Sequence, residues 1–293
     1  MKITEGYMPF KGYKTYYRIV GEGDGEKKPL ILLHGGPGST HNYFEVLDKL
    51  AETGRQIISY DQIGCGNSFV AGHPELFTKD VWMEELYALI EYLGIKEYHI
   101  LGQSWGGMMA IASGCDYKPE GVKSYILSSA NPSSSMWRSE QFRRIKYLPE
   151  RLQKAIYESE EKGEFDDPVY LEANDVFMER HCSGKVTDDD PECLRREKKS
   201  GSEAYLTAWG PSEFNPMGSL KDFEYLDKMK EMDVPTLITD GTDDLCSPLI
   251  AKAMYDALPN REWVLFAGCR HMPFVEENEK YMKILNRWLE EHD

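Results

Sequence analysis

Short apolar segments that run directly into glycine or polar residues, with amphipathic segments between them, constrain the fold of this chain more than any other feature. Three of them lie at residues 29–36 (PLILLHGG), 56–64 (QIISYDQIG) and 98–107 (YHILGQSWGG), and residues 81–95 have the apolar spacing of a helix. Such alternation is typical of a mostly parallel sheet covered by helices on both faces. The sequence therefore predicts an α/β fold.

The alternation is interrupted over residues 131–218. This stretch consists of charged helical segments and polar breaks, and the sequence indicates no strand in it. Strand-like segments followed by polar turns resume at residues 234–244 and 261–271, and an amphipathic helix follows the second of them. We therefore expect a discontinuous α/β core formed by residues 1–130 and 219–293, with the middle stretch inserted as a helical cap.

Charge and cysteine content exclude several classes of function. The 293 residues include 50 acidic and 34 basic ones, and the net charge of −16 argues against nucleic acid as a partner because it repels phosphate. No stretch approaches the roughly eighteen apolar residues of a membrane span and the first residues lack a signal-peptide core, so we expect a cytoplasmic protein with no membrane partner. The six cysteines form no C-x-x-C pair, which predicts reduced thiols and neither a metal nor another cofactor. The sequence leaves the oligomeric state open.

A serine lies at the end of the third apolar segment, in the sequence GQSWGG. Gly102 and Gly106 flank Ser104 in a G-x-S-x-G pattern, which permits the sharp strand-to-helix turn that can hold a nucleophile. The following helix would direct the positive end of its dipole towards a developing oxyanion. A glycine-rich bend without catalytic function is the alternative, so the other parts of a nucleophilic site decide between them.

The chain offers a base and an acid for this serine. His271 follows the last strand-like segment, and the order serine, acid, histidine is the one expected of this architecture. His34 precedes two glycines, and we interpret it as shaping that loop. The segment LITDGTDD supplies three carboxylates after a strand, and spacing alone does not choose among Asp240, Asp243 and Asp244.

An oxyanion hole would complete the site. The sequence HGGPG at residues 34–38 lets the backbone approach a substrate carbonyl, and its amides can act with the amide of Trp105, the residue after the serine. Oxyanion donors, nucleophile, acid and base, in this order along the chain, indicate a serine hydrolase.

The chain contains the motifs HGGPG, YDQIGCGNS, GQSWGGM, WGPSEF, GTDD and GCRHMPF, of which HGGPG, DQIGCGNS and GPSEF together are specific to one family and its amino-acid amidase relatives. They resemble those of the prolyl aminopeptidases, also called proline iminopeptidases, and in particular their lactic-acid bacterial branch. The resemblance extends essentially from end to end. It implies an α/β-hydrolase fold with an inserted helical cap, and a serine exopeptidase that releases N-terminal proline from short peptides with a free amino terminus.

Carried over position by position, the resemblance assigns catalytic roles. It makes Ser104 the nucleophile, His271 the general base and then acid, and Asp244 the acid that orients the imidazole. It also implies an oxyanion hole formed by the amides of Gly36 and Trp105.

The resemblance further implies a substrate pocket. Glu213 of GPSEF resembles the carboxylate that binds the free amino group of the substrate, and Tyr205 resembles a pocket tyrosine beside it. Tyr43, Phe44 and the Trp105 side chain are candidates for the aromatic lining of a proline-sized pocket.

One departure from the family pattern concerns the position after the acid. An archaeal member of the family, the tricorn-interacting aminopeptidase, has a second amine-binding glutamate at this position, whereas this chain has Leu245. The amine site would then depend mainly on Glu213, helped by backbone carbonyls or by Glu203. An amino-acid amidase or small-ester hydrolase of the same fold, and more distantly a non-catalytic ligand receptor, are the alternatives.

Two cysteines lie close to the proposed catalytic residues. Cys246 follows Asp244 by two residues and Cys269 precedes His271 by two. A bulky thiol reagent on either is therefore expected to displace a catalytic turn and slow the enzyme. The alternative is that both thiols are buried and inert.

Overall fold

A computed structural model describes residues 1–293. Its eight strands are β1 (Ile3–Phe10), β2 (Tyr13–Val20), β3 (Leu30–Leu33), β4 (Ile57–Tyr60), β5 (Tyr98–Gln103), β6 (Val122–Ser128), β7 (Thr236–Gly241) and β8 (Arg261–Phe266). They form one sheet in the order β1-β2-β4-β3-β5-β6-β7-β8. The pairs formed by β2 with β1 and β4 are antiparallel, and all the others are parallel. This confirms the predicted fold class.

Ten α-helices accompany the sheet. They are α1 (Lys79–Tyr92), α2 (Trp105–Ala112), α3 (Ser134–Ile145), α4 (Glu150–Lys162), α5 (Pro168–His181), α6 (Glu192–Arg195), α7 (Ser202–Ala208), α8 (Pro248–Ala257), α9 (Pro273–Glu276) and α10 (Asn278–Glu291). No helix of the protein has both the length and the apolar character that crossing a membrane requires.

The central strand β3 is apolar along its whole length because both faces of the sheet are covered. All four residues of β3 are buried. Leu30 and Leu32 belong to one hydrophobic cluster, whereas Ile31 and Leu33 belong to the other. Since successive side chains of a strand point to opposite faces, the two clusters are the cores on the two sides of the sheet. Parallel strands in this position read as continuous apolar runs, which is the pattern seen in the sequence.

The sequence pattern did not indicate the first strand or the 3-10 helical segment His41–Thr53. Strand β1 is mostly exposed, and it pairs with β2 through a tight turn at Lys11 and Gly12, whose φ angles are 46° and 83°. An edge strand that buries only alternate residues carries a weak apolar signal. Strand β1 runs parallel to β4, so its end at Phe10 lies at the same edge of the sheet as the carboxyl ends of β4 and β5.

Helices α3 to α7 lie in the segment between β6 and β7, and this segment contributes no strand to the sheet. Side chains of α3 fasten this segment to the turn after β7. Gln141 and Arg144 each donate a hydrogen bond of 3.0 Å to the carbonyl oxygen of Leu245. The segment also reaches the glycine-rich loop after β3, where the amide of Gly201 donates to the carbonyl of Gly38 at 2.7 Å.

Candidate active site

Ser104 occupies the turn between β5 and α2. Its φ of 56° and ψ of −117° are unusual for a residue with a side chain, and the turn tolerates them because its flanking residues are glycines. A Cβ added to Gly102 would lie 2.1 Å from the carbonyl oxygen of Gly106, and one added to Gly106 would lie 1.9 Å from that of Leu33. The local packing therefore requires glycine on both sides of the serine, as G-x-S-x-G supplies.

His271 lies in the loop after β8 and contacts one carboxylate. Its Nδ1 is 2.7 Å from Oδ1 of Asp244, and both side chains are buried. Oδ1 of Asp244 also accepts from the amide of Cys246 at 2.8 Å, and Oδ2 accepts from the hydroxyl of Ser129 at 2.6 Å and the amide of Gly241 at 3.2 Å. These donors hold the Asp244 carboxylate rigidly in place. The contact of the carboxylate with Nδ1 of His271 then fixes the orientation of the imidazole ring.

The other two carboxylates of this segment have different surroundings. Asp240 is buried on β7 and accepts a hydrogen bond of 2.6 Å from Trp263 Nε1, while its second oxygen has no partner. Burial raises the pKa of Asp240 to about 8, which favours a neutral acid in the core. Asp243 is exposed. Of the three carboxylates that spacing left open, the structure brings only Asp244 to the histidine.

A buried arginine of the inserted segment supports the turn that carries Asp244. Arg144 on α3 donates to the carbonyl oxygens of Leu245, at 3.0 Å, and Asp243, at 3.2 Å, and it makes no ion pair with a carboxylate. Sequence reasoning missed this residue because the backbone carbonyls that it binds are about a hundred residues away along the chain. The contact couples the position of the inserted segment to that of the acid.

The glycine-rich loop after β3 lies beside the serine. The amides of Gly36 and Trp105 donate to no backbone carbonyl outside helices and strands, and Trp105 is the first residue of α2, where a helix has no internal acceptor. His34 holds the loop: its Nε2 accepts from the amide of Gln62 at 3.0 Å, which leaves the proton on Nδ1, 2.9 Å from the carbonyl of Gly35. Burial lowers the pKa of His34 to about 4, in keeping with this neutral structural form.

A cavity of about 460 Å³ lies between the sheet and the inserted segment, and both Ser104 and His271 line it. This volume is within the usual range for small-molecule sites. Glu213, Tyr205 and Tyr43 also line the cavity, as the sequence predicted for substrate-binding residues. Their roles in binding stay predictions.

Glu213 places a carboxylate in this cavity. One of its oxygens accepts a hydrogen bond from the hydroxyl of Tyr205, and its backbone carbonyl accepts from Trp137 Nε1 at 2.9 Å. Burial raises the pKa of Glu213, while the hydrogen bond from Tyr205 and the nearby His271 oppose that shift. A carboxylate in this setting is short of positive partners, so a cationic ligand group would be stabilised beside it.

The Tyr43 hydroxyl accepts a hydrogen bond from the amide of Gly35 and donates one of 2.9 Å to Gln103 Oε1. These contacts hold the ring between the glycine-rich loop and the end of β5. Tyr43 therefore forms part of the cavity wall and also stabilises the loop that carries Gly36.

Three candidates for the pocket lie outside it. Phe44 is buried in the core against Phe274, with ring centroids 5.5 Å apart, because it is on the inner face of its helical turn. The Trp105 ring is buried and donates to Gln62 Oε1 at 2.8 Å, so only the backbone of this residue is available to a substrate. Glu203 accepts from the amide of Gly72 at 2.7 Å and does not reach the cavity. Aromatic character alone does not distinguish a packed ring from a pocket wall.

One set of side chains has the spacing of a metal site. Donor atoms of Asp244, Cys246 and His271 lie within 4.8 Å of one another. Both oxygens of the carboxylate already accept hydrogen bonds, and burial raises the pKa of the Cys246 thiol well above its usual value. Because a metal requires the thiolate form, this set suits a hydrogen-bonded acid and base better than a metal ion.

Comparison with known proteins decides the family. A family model of the alpha/beta hydrolase fold matches residues 28–278. The chain is 62% identical over 293 residues to a proline iminopeptidase of Clostridioides difficile and 56% identical over 295 residues to one of Lactobacillus helveticus, with 100% of each chain covered in both cases. The chain belongs to the proline iminopeptidase family. The resemblance inferred from its motifs is thereby confirmed.

A solved structure of the family supports the same conclusion. The proline iminopeptidase of Mycobacterium smegmatis matches with a TM-score of 0.86 at 30% identity, covering 99% of this chain and 98% of that chain. The proline iminopeptidase fold therefore extends over the inserted helical segment as well as the sheet.

The thiols of this proline iminopeptidase family member are arranged differently from the sequence expectation. Cys246 and Cys269 are both buried, and burial raises the pKa of Cys269 to about 11 and that of Cys246 well above its usual value. The partly exposed Cys182 lines the cavity, and its carbonyl accepts a hydrogen bond of 3.2 Å from the amide of His271. Cys182 follows α5, and no sequence motif marks it as a cavity residue.

We therefore expect thiol reagents to inactivate the enzyme through Cys182. Burial raises the pKa of this thiol to about 12, so inactivation by a bulky maleimide should be slow at neutral pH and accelerate about tenfold per pH unit below that value. Residual activity after timed exposure measures this. Cys182→Ala should resist the reagent, whereas Cys246→Ala and Cys269→Ala should be as sensitive as wild type. A Cys182→Ala variant that is inactivated at the wild-type rate would contradict the assignment.

Proposed function

We propose that this protein is a serine exopeptidase that releases N-terminal proline from short peptides through an acyl-enzyme on Ser104. The observation that carries the proposal is a carboxylate, Glu213, in the same cavity as Ser104 and His271. A partly buried carboxylate in the same cavity as a nucleophile favours substrates whose scissile carbonyl is next to a positive charge, as it is in a peptide with a free amino terminus. The proline iminopeptidase names of relatives at 56% and 62% identity support the choice of proline.

The reaction begins when the N-terminal ammonium of the peptide binds to Glu213, which brings the first carbonyl to Ser104. Ser104 Oγ attacks the carbonyl carbon while His271 Nε2 takes the hydroxyl proton, and Asp244 at Nδ1 stabilises the imidazolium. The amides of Gly36 and Trp105 stabilise the oxyanion.

The tetrahedral intermediate then breaks its C–N bond as His271 donates the proton to the departing amine. A prolyl ester on Ser104 remains. Water attacks this ester with His271 as the base, proline leaves, and the serine regains its proton. The overall reaction consumes one water molecule and requires no cofactor.

Selection of proline depends on the apolar wall of the cavity near the amine site. Leu245 lines it where the archaeal pattern has a second glutamate, so a single carboxylate binds the secondary ammonium of proline. Tyr43 and Tyr205 supply rings against which the pyrrolidine can pack. One carboxylate holds the amino terminus less tightly than two would. Peptides that begin with other small or apolar residues should therefore also be cleaved, at lower rates.

We also propose that residues 1–130 and 219–293 form the catalytic core and that residues 131–218 act as its cap. The cavity lies where these two parts meet, with Ser104 and His271 on one side and Glu213 and Tyr205 on the other. In this division the core performs the chemistry and the cap binds the amino terminus.

A panel of substrates tests the proposed function against its nearest alternative. Pro-Ala, N-acetyl-Pro-Ala, Ala-Ala, prolinamide and a simple acyl ester would be incubated with the enzyme, and release of the first residue or acid measured. The proposal predicts fast release of proline from Pro-Ala and none from the blocked peptide. Faster turnover of the ester and of prolinamide than of the peptide would favour a small-ester hydrolase or amidase.

Glu213→Gln tests the amine anchor. Loss of a charge-assisted hydrogen bond in a partly dry site costs about 1.5 to 3 kcal/mol, so KM for Pro-Ala should rise about tenfold to a hundredfold. The kcat of a simple acyl ester, which has no amine, should stay near the wild-type value. Glu203→Gln is the matched control, because Glu203 is on the same segment but outside the cavity. Equal losses on both substrates would show that Glu213 instead supports the structure of the segment.

A further inference from the structure

The cavity contains positive charges that the mechanism does not use. Lys185, Lys198 and Arg270 line it. Arg270 forms an ion pair of 2.7 Å with Glu276, whereas neither lysine has a carboxylate within 4.0 Å. The acidic side chains of the lining are Asp190, Glu213 and Glu276, so the cavity carries both signs of charge in equal number, and its two lysines are exposed at its edge without an ion pair.

The backbone around Lys198 is fastened to the catalytic core. The carbonyl of Lys199 accepts a hydrogen bond of 2.8 Å from the amide of Gly66, and the amide of Gly201 donates to Gly38 of the glycine-rich loop at 2.7 Å. A Cβ added to Gly38 would lie 2.3 Å from the carbonyl oxygen of Gly201, so the two segments are in close contact. Lys198 is therefore held at the edge of the cavity beside the loop that carries Gly36.

The cavity lining offers a carboxylate and an unpaired ammonium for the two charges of a short peptide. Glu213 supplies the carboxylate proposed to bind the amino terminus. Lys198 supplies a cation beside the glycine-rich loop, and no carboxylate of the protein pairs with its ammonium. A ligand carboxylate would provide the missing counter-ion.

We propose that Lys198, assisted by Lys185, binds the C-terminal carboxylate of the departing part of the substrate, so that the enzyme prefers zwitterionic dipeptides and tripeptides. This inference rests on the proposed function, because it extends the substrate from its ammonium at Glu213 to its opposite end. Each residue of an extended peptide adds about 3.3 to 3.6 Å, so in longer peptides the carboxylate passes beyond the cavity and the preference is lost.

The test compares peptides with free and amidated C-termini. Wild-type enzyme should cleave Pro-Ala with a kcat/KM about tenfold higher than Pro-Ala-NH2, since an ammonium–carboxylate contact is replaced by a neutral amide. The difference should persist for Pro-Ala-Ala, diminish in high salt and vanish for a peptide of about eight residues, whose carboxylate lies outside the cavity.

Lys198→Met should raise KM for Pro-Ala about tenfold and leave Pro-Ala-NH2 unchanged, and Lys198→Arg should restore most of the preference. Lys199→Met is the matched control, because the Lys199 ammonium lies over the Phe69 ring at 3.5 Å and outside the active-site cavity. It should behave as wild type on both peptides.

Two results would overturn the inference. One is equal kcat/KM for Pro-Ala and Pro-Ala-NH2 in the wild type, and the other is an equal loss on both peptides in Lys198→Met. In either case proline would still be released, so the proposed function would stand. Failure of the proposed function is a different result, in which no peptide of the series yields proline.

Discussion

Ser104→Ala is expected to lower kcat for proline release from Pro-Ala by about 10⁴-fold or more, because the variant lacks the hydroxyl that forms the acyl-enzyme. The remaining oxyanion donors and binding contacts support only a small residual rate. Folding should be unaffected, since the hydroxyl makes no hydrogen bond in the structure and the alanine methyl group fits the same turn. Progress curves at saturating Pro-Ala, with circular dichroism to verify folding, measure the effect.

Cys65→Ala is the matched control for this loss. The Cys65 thiol is buried 3.5 Å from His34 Nε2, and burial raises its pKa well above the usual value, so it is not available as a nucleophile. The variant should retain most of its activity. Residual activity of Ser104→Ala above about a hundredth of wild type, or an inactive but folded Cys65→Ala, would mean that the nucleophile is wrongly assigned.

Asp244→Asn is expected to reduce kcat by up to about 10⁴-fold, comparable to the loss seen when the aspartate of a serine protease triad is replaced by asparagine. The amides of Cys246 and Gly241 and the hydroxyl of Ser129 all donate to this carboxylate. An asparagine has one acceptor oxygen, whereas the aspartate uses two. The NH2 group of the asparagine would therefore face either one of these donors or the His271 nitrogen. The imidazole would then take the wrong tautomer.

Asp243→Asn and Asp240→Asn discriminate between this role and a general effect of charge. Asp243 is exposed, and Asp240 has a pKa raised to about 8, so neither change alters the charge beside His271 at neutral pH. Both variants should keep at least about a tenth of wild-type kcat. A severe loss in Asp243→Asn with a mild one in Asp244→Asn would reverse the assignment of the acid.

Much of the architecture was predictable because the signals are local. Buried parallel strands leave continuous apolar runs such as LILL of β3, and the turn at Ser104 leaves two glycines that packing requires. The serine, the histidine and the glycine-rich loop each follow such a strand. Parallel strands bring their carboxyl ends to one edge of the sheet, so position along the chain was enough to place these parts together.

The remaining features depend on contacts between distant segments. Spacing left the acid undecided among three aspartates, and the choice required the 2.7 Å contact between Asp244 and His271. Phe44 was expected in the pocket but is packed in the core, because the sequence does not show which face of a turn an aromatic ring occupies. Arg144 and Lys198 gave no sequence signal. Arg144 binds backbone carbonyls of a distant segment, and Lys198 is distinguished only by lining the cavity without an ion pair.

The most direct test of the account is the identity of the covalent intermediate. The enzyme would be mixed with excess L-proline p-nitrophenyl ester, quenched in acid within milliseconds to seconds, digested and examined by mass spectrometry. We expect one prolyl residue attached to the peptide that contains Ser104, absent in Ser104→Ala and accumulating further in Asp244→Asn if deacylation is the slower step. A prolyl group on any other residue, or turnover by wild-type enzyme with no acylated peptide at any quench time, would contradict the central claim.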